Sequence, residues 1–201
     1  LPNLHISDAS SRAVFKDFIQ ATTAVNKDVA EKVYTQVLGM FGKQDENNMR
    51  AVLPEIQQLE NKFGWHISDL KSKLYGKVTH DDVIAVENYV SVCSDGNSRI
   101  KDFDSGDFKA LFKAMDSDAA HLTVTEKRHI LQTFSEHMSS TAEKENFAKG
   151  FVDTLYGRNP SSKKLDEFAD LIAPMDKQVA RPFYKEFLWH AGHDGPTEDS
   201  W

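Results

Sequence analysis

Cysteine is nearly missing from this chain of 201 residues. With Cys93 alone, neither an intrachain disulfide nor a thiolate zinc cage can be assembled. Proline and glycine are sparse, at six and ten residues, and 27% charged residues stand beside 40% hydrophobic ones, which excludes collagen-like and disordered chains. Long apolar runs are lacking as well. Stretches such as Ile84-Ala85-Val86 fall far short of the roughly 20 apolar residues that a membrane-spanning helix needs. Positive charge is not in excess: Lys and Arg number 24 against 31 Asp and Glu, a net charge of −7, which excludes a non-specific nucleic-acid binder. Asn159-Pro160-Ser161 carries the proline that forbids N-glycosylation. The opening Leu1-Pro2 fits either an expressed fragment or a mature form left after removal of a targeting segment, which leaves the compartment open; the composition and the lack of a long apolar run lead to the expectation of a soluble chain, cytosolic or secreted.

What is present in abundance is helical periodicity. Apolar residues recur at spacings of three and four, strict alternation is rare, and the pattern predicts an all-α fold of nine to ten helices arranged as hairpins. Val14, Phe15, Phe18 and Ile19 mark the first helix. Asn26 caps the second, which carries Val29, Val33, Val37, Leu38 and Phe41 and stops at Gly42. A third runs from Asp45 to Phe63-Gly64, with a kink or break expected at Pro54. A short helix over 68–75 stops at Gly76, and Thr79 caps a fifth whose face holds Val83, Val86, Val90 and Cys93, so the thiol is expected to be buried and inert. Later helices are expected near Phe108–Met115, Thr125–Met138, Thr141–Tyr156, Lys164–Ile172 and Lys177–His190; Gly192 stops the last, and Pro182 delays its start. Residues 1–93 read as an N-terminal helical half, 94–106 as a linker, 107–191 as a C-terminal helical half and 192–201 as a tail anchored by Trp201, with one continuous domain as the alternative.

An internal repeat is a candidate. Phe108, Leu111, Met115 and Asp116 return as Phe168, Leu171, Met175 and Asp176 at an offset of 60, and Ala120 and Glu126 as Ala180 and Glu186. Leu74-Tyr75-Gly76-Lys77 echoes Leu155-Tyr156-Gly157-Arg158. Such repeats suit a stack of helical hairpins.

Chemistry-bearing motifs are few. Asp116 and Asp118 resemble the start of an EF-hand loop, yet Ala120 and His121 follow where a ligand and the turn glycine belong, and Lys127 stands where a bidentate glutamate is needed. Glu186, His190 and His193 form the only metal candidate with helical ligand spacing, and Gly192 weakens it. His129 and His137 read as two solvated histidines. No catalytic residue, nucleophile motif or cofactor-binding loop stands out, and the acid pairs Asp81-Asp82 and Asp166-Glu167 suit helix starts. The unusual feature is thirteen phenylalanines. They make either an aromatic core or a lined cavity. The sequence therefore predicts an interaction protein that binds another protein through a helical surface, with a carrier of a lipid or other apolar small molecule as the alternative.

Overall fold

The computed structural model describes residues 5–65, 71–92, 99–157 and 161–193, and 76% of the described residues are helical, with no strand among them. Nine α-helices are described: α1 (Ala9–Thr22), α2 (Lys27–Met40), α3 (Glu46–Phe63), α4 (His80–Val92), α5 (Ser105–Met115), α6 (Val124–Glu136), α7 (Thr141–Tyr156), α8 (Ser162–Ile172) and α9 (Lys177–His193), with a 3-10 turn at Arg99–Asp102 before α5. Cys93 and the 194–201 tail with Trp201 lie outside the described residues.

Local chemistry sets the helix starts. Asp8, Asp104, Thr123 and Ser140 each accept from the third backbone N–H of their helix while the side chain there returns the bond. Asn26, Asp45 and Ser161 cap by a single acceptor. Such caps contribute about 0.5–2 kcal/mol apiece. At α4, the Thr79 hydroxyl donates to Asp82 at 2.6 Å and its N–H at 3.0 Å. Burial pushes the Asp82 carboxyl up, but those two bonds and Lys73 at 3.2 Å outweigh it and hold it below the usual carboxylate range. Gly64 ends α3 at φ 69°, the left-handed conformation that costs glycine least, and the Trp65 N–H closes back on the Glu60 carbonyl.

Several boundaries differ from the pattern in the sequence. Pro54 does not break α3, because Val52, Ile56 and Leu59 are fully buried on either side and pin the helix through the one backbone bond that proline removes. Pro182 likewise sits inside α9 between buried Val179 and Phe183, and the helix continues through Gly192 to His193. The expected linker is already helical from Ser105, where Asp104 caps α5. Of the short helix over 68–75, residues 68–70 lie outside the described residues, and beyond Ser72 the chain turns. The echo between Gly76 and Gly157 joins different conformations, φ 129° in a turn and −62° at the end of α7. In the 60-residue repeat, α5 runs through Met115 while α8 ends at Ile172, since Pro174 stands where Ala114 continues its helix.

The chain divides into two compact units, Leu1–Arg99 with Ser117–His121, and Ile100–Asp116 with Leu122–Trp201. In the first, α1 packs on α3 and α2, and α4 on α2 and α3. Arg12 reaches Asn48, Lys16 reaches Glu55 and Lys62 reaches the Thr23 carbonyl, so α1 and α3 run in the same direction. Phe15, Ile19, Tyr34, Val37, Ile56 and Tyr89 fill the interior. In the second unit α5 and α9 pack on α7, and α6 on α8. Lys144 meets Gln178, Phe147 meets Phe183 and Tyr156 meets His190, so α7 and α9 are also parallel. Parallel packing of helices two apart in the chain is the arrangement of stacked hairpins.

The second core is built of phenylalanine. Phe103, Phe108, Phe112, Phe134, Phe147, Phe151, Phe168 and Phe183 form one continuous set of ring contacts, with centroids 4.6–5.9 Å apart and most pairs edge to face. Edge-to-face pairs gain about 0.5–1.5 kcal/mol beyond area burial.

Candidate interaction surface

Helix α9 carries apolar residues on two faces. Val179 and Phe183 enter the phenylalanine core, Phe187 packs against Tyr156, and His190 stacks on the same tyrosine at 4.8 Å. Other apolar residues of the helix face outward: Tyr184 is 65% exposed, Leu188 74% and Trp189 53%, with Trp189 edge-on to His190 at 4.9 Å. Tyr184 and Leu188 are four apart and share a side of the helix. Beside them runs an open groove of about 750 Å³ between the N-terminal part of α7 and α9, bordered by Lys144, Glu145, Arg181 and Lys185. Lys144 donates to Gln178 at 3.3 Å, and Lys185 lies 3.8 Å from Glu145 with both side chains exposed. Those contacts are loose and solvent-screened.

A second groove of about 420 Å³ lies between α6 and the α8–α9 turn, where Arg128, Glu136 and Asp176 border Leu171 and Met175. A third opening holds only about 10 Å³, room for one water, and sits against the phenylalanine core at Phe112, Phe151 and Phe168. Its rim is an ion network rather than a ligand set. Asp116 accepts from Lys164 and lies 3.7 Å from Lys127, which also approaches Glu167 at 3.5 Å. Lys127 thus brings an ammonium to the first carboxylate of the EF-hand-like stretch. His121, at its sixth position, takes the positive φ of 48° that glycine usually supplies.

The three residues of the metal candidate all fall on α9. His190 turns its Nε2 to within 3.4 Å of Asp153 on α7 while its ring stacks on Tyr156, and Glu186 is half-exposed on the same helix. His193 falls on the last residue of α9, whose helix Gly192 does not interrupt. Among the described residues no group of three or more His, Cys, Asp and Glu is arranged to hold a metal ion. His129 is exposed as expected, but His137 is half-buried, its Nδ1 lying 2.6 Å from the Thr133 carbonyl at the C-terminus of α6.

One arrangement had only a faint trace in the sequence. Glu60 is fully buried and accepts from Tyr34 at 2.6 Å and Tyr89 at 2.7 Å, while Trp65 stacks on Tyr34 at 4.9 Å. The trace is its position four residues after Ile56 on the buried stripe of α3. With no exposed surface, this carboxyl ties three helices together.

Comparison with family models, with curated proteins and with solved structures returns no match.

Proposed function

We propose that this chain is a non-enzymatic protein-binding module that engages its partner through the α7–α9 face. The observation that carries the reading is the outward side of α9, where Tyr184 and Leu188 stand out beside the groove from a helix whose opposite side is sunk in the core. Large exposed apolar side chains gathered beside a groove are the usual mark of an interaction site, and aromatic residues dominate binding energy where they are found in one. The carrier alternative needs phenylalanines to line a chamber. The eight rings of the second unit instead contact one another, and this favours a contact surface over a cavity.

The test places a photo-reactive amino acid at Leu188 and, as control, at exposed Lys163 on α8, in the full chain expressed in its host. A protein adduct of discrete mass formed at 188 and not at 163, whose purified partner then loses at least tenfold in affinity for Leu188→Asp, supports the reading. Adducts confined to lipid, or equal at both positions, overturn it.

A further inference from the structure

We infer that the partner segment seated on this face is an acidic amphipathic helix, an inference that rests on the protein-binding reading above. The chain as a whole is acidic, at −7, yet the groove beside Tyr184 and Leu188 is bordered by three cations, Lys144, Arg181 and Lys185, against the single carboxylate of Glu145. Arg181 is exposed on α9, four residues before Lys185, so two cationic side chains follow one another along the groove wall. Parallel α7 and α9 both start at this end, where Glu143 and Asp176 already accept from backbone N–H groups, so the excess of positive charge along the groove comes from the three side chains.

The shape fits the same occupant. Along α9 the groove runs from Gln178 to Leu188. At 1.5 Å rise per residue that is about 15 Å, the length of roughly three helical turns. A helix laid in it sets an apolar stripe at spacings of three and four on Tyr184 and Leu188, and carboxylates on its flanks meet Arg181, Lys185 and Lys144. Complementary charge of this kind selects the partner and speeds encounter, and it repels a basic helix from the same apolar face. The cations are exposed, so the selection is graded rather than absolute and weakens with salt.

Two synthetic helical peptides with one leucine stripe, one flanked by glutamates and the other by lysines, test this against the full chain by titration followed in methyl and amide NMR spectra. The acidic peptide is expected to bind about tenfold tighter at low salt, a ratio that shrinks as salt is raised, with shifts centred on Tyr184 and Leu188. The double variant Arg181→Glu with Lys185→Glu is expected to invert the preference while leaving the circular dichroism unchanged, both side chains being on the surface. Equal affinities, or a preference for the lysine peptide at the same face, overturn the acidic assignment and leave the protein-binding reading standing. Shifts at that face from phosphatidylserine vesicles, without response to either peptide, overturn both in favour of a membrane surface.

Discussion

Gly150 in the middle of α7 provides a test in which two physical effects oppose each other. An alanine in an exposed helix interior gains about 1 kcal/mol over glycine, because the glycine chain loses more backbone freedom on folding. At position 150 the added Cβ would stand 2.6 Å from the Phe108 Cβ, 2.7 Å from the Lys109 nitrogen and 2.7 Å from the Ser105 oxygen. Comfortable carbon contacts lie at about 3.5–4.0 Å. Two of the three atoms are backbone of α5, so no rotamer change relieves the overlap and the two helices must separate. That loosens the Phe108–Phe147 and Phe112–Phe151 contacts at 5.1 and 4.9 Å. Overpacking costs about 1–3 kcal/mol, and against backbone the upper end applies; less the helix gain, Gly150→Ala is expected to lose about 2 kcal/mol. Gly39 in α2 is the control, since nothing lies within 4 Å of its added Cβ, and Gly39→Ala is expected to gain up to about 1 kcal/mol. Urea unfolding followed by circular dichroism gives both signs, and amide exchange in α5 and α7 assigns the first to its contact. A Gly150→Ala protein as stable as the parent would mean that α5 and α7 do not approach this closely.

Phe151→Ala empties a fully buried site that touches Phe112, Phe168 and Phe183, and is expected to cost about 3–5 kcal/mol in the same assay; a loss below about 1 kcal/mol would contradict the packed core. Tyr89→Phe removes one of two hydroxyls donated to buried Glu60 and is expected to cost about 1–3 kcal/mol, and an unchanged unfolding midpoint would remove the bond from the account. Asp82 tests pH: its carboxyl is held low in the fold, so its stabilisation is fully present above the unfolded value of about 3.9 and is lost as pH falls through the folded value. Asp82→Asn is therefore expected to be less stable at neutral pH and to show a shallower loss of stability in acid, whereas parallel curves for the two proteins would refute the linkage.

Helix identity was legible in the sequence because it is local. Asn26 and Thr79 write their caps three residues from the partner that makes the bond, and the stripe Phe147, Phe151, Leu155 repeats with the helix period, whereas the equally local cap of Asp104 lies inside the expected linker. Proline misleads for the opposite reason. A propensity of about 3 kcal/mol against helix is a local quantity, and at Pro54 it is offset by side chains whose burial comes from other helices. Pairings across helices left little trace, because Glu60 with Tyr34 and Tyr89, or His190 with Asp153, depend on which helices become neighbours. Spacing joined His190 to Glu186, four residues away on its own helix; packing joined it to α7.

The same limit explains why the α9 surface escaped the sequence. Val179, Phe183 and Phe187 form one stripe, Tyr184 and Leu188 another beside it, and together they read as a single wide apolar face that any buried helix would show. Only α7 separates them. By taking Phe183 into contact with Phe147 and Phe151, and Phe187 into contact with Tyr156, it fixes the rotation of α9 and turns Tyr184 and Leu188 outward. Exposure of those two residues is thus a consequence of core packing, and a change that rotates α9 alters the surface without touching it. Phe183→Ala is such a change. It removes the ring that sets the rotation while leaving Tyr184 and Leu188 in place, and the reasoning requires it to weaken partner or acidic-peptide binding as well as stability. Binding that survives the loss of Phe183 would show that the surface does not depend on the rotation set by the core.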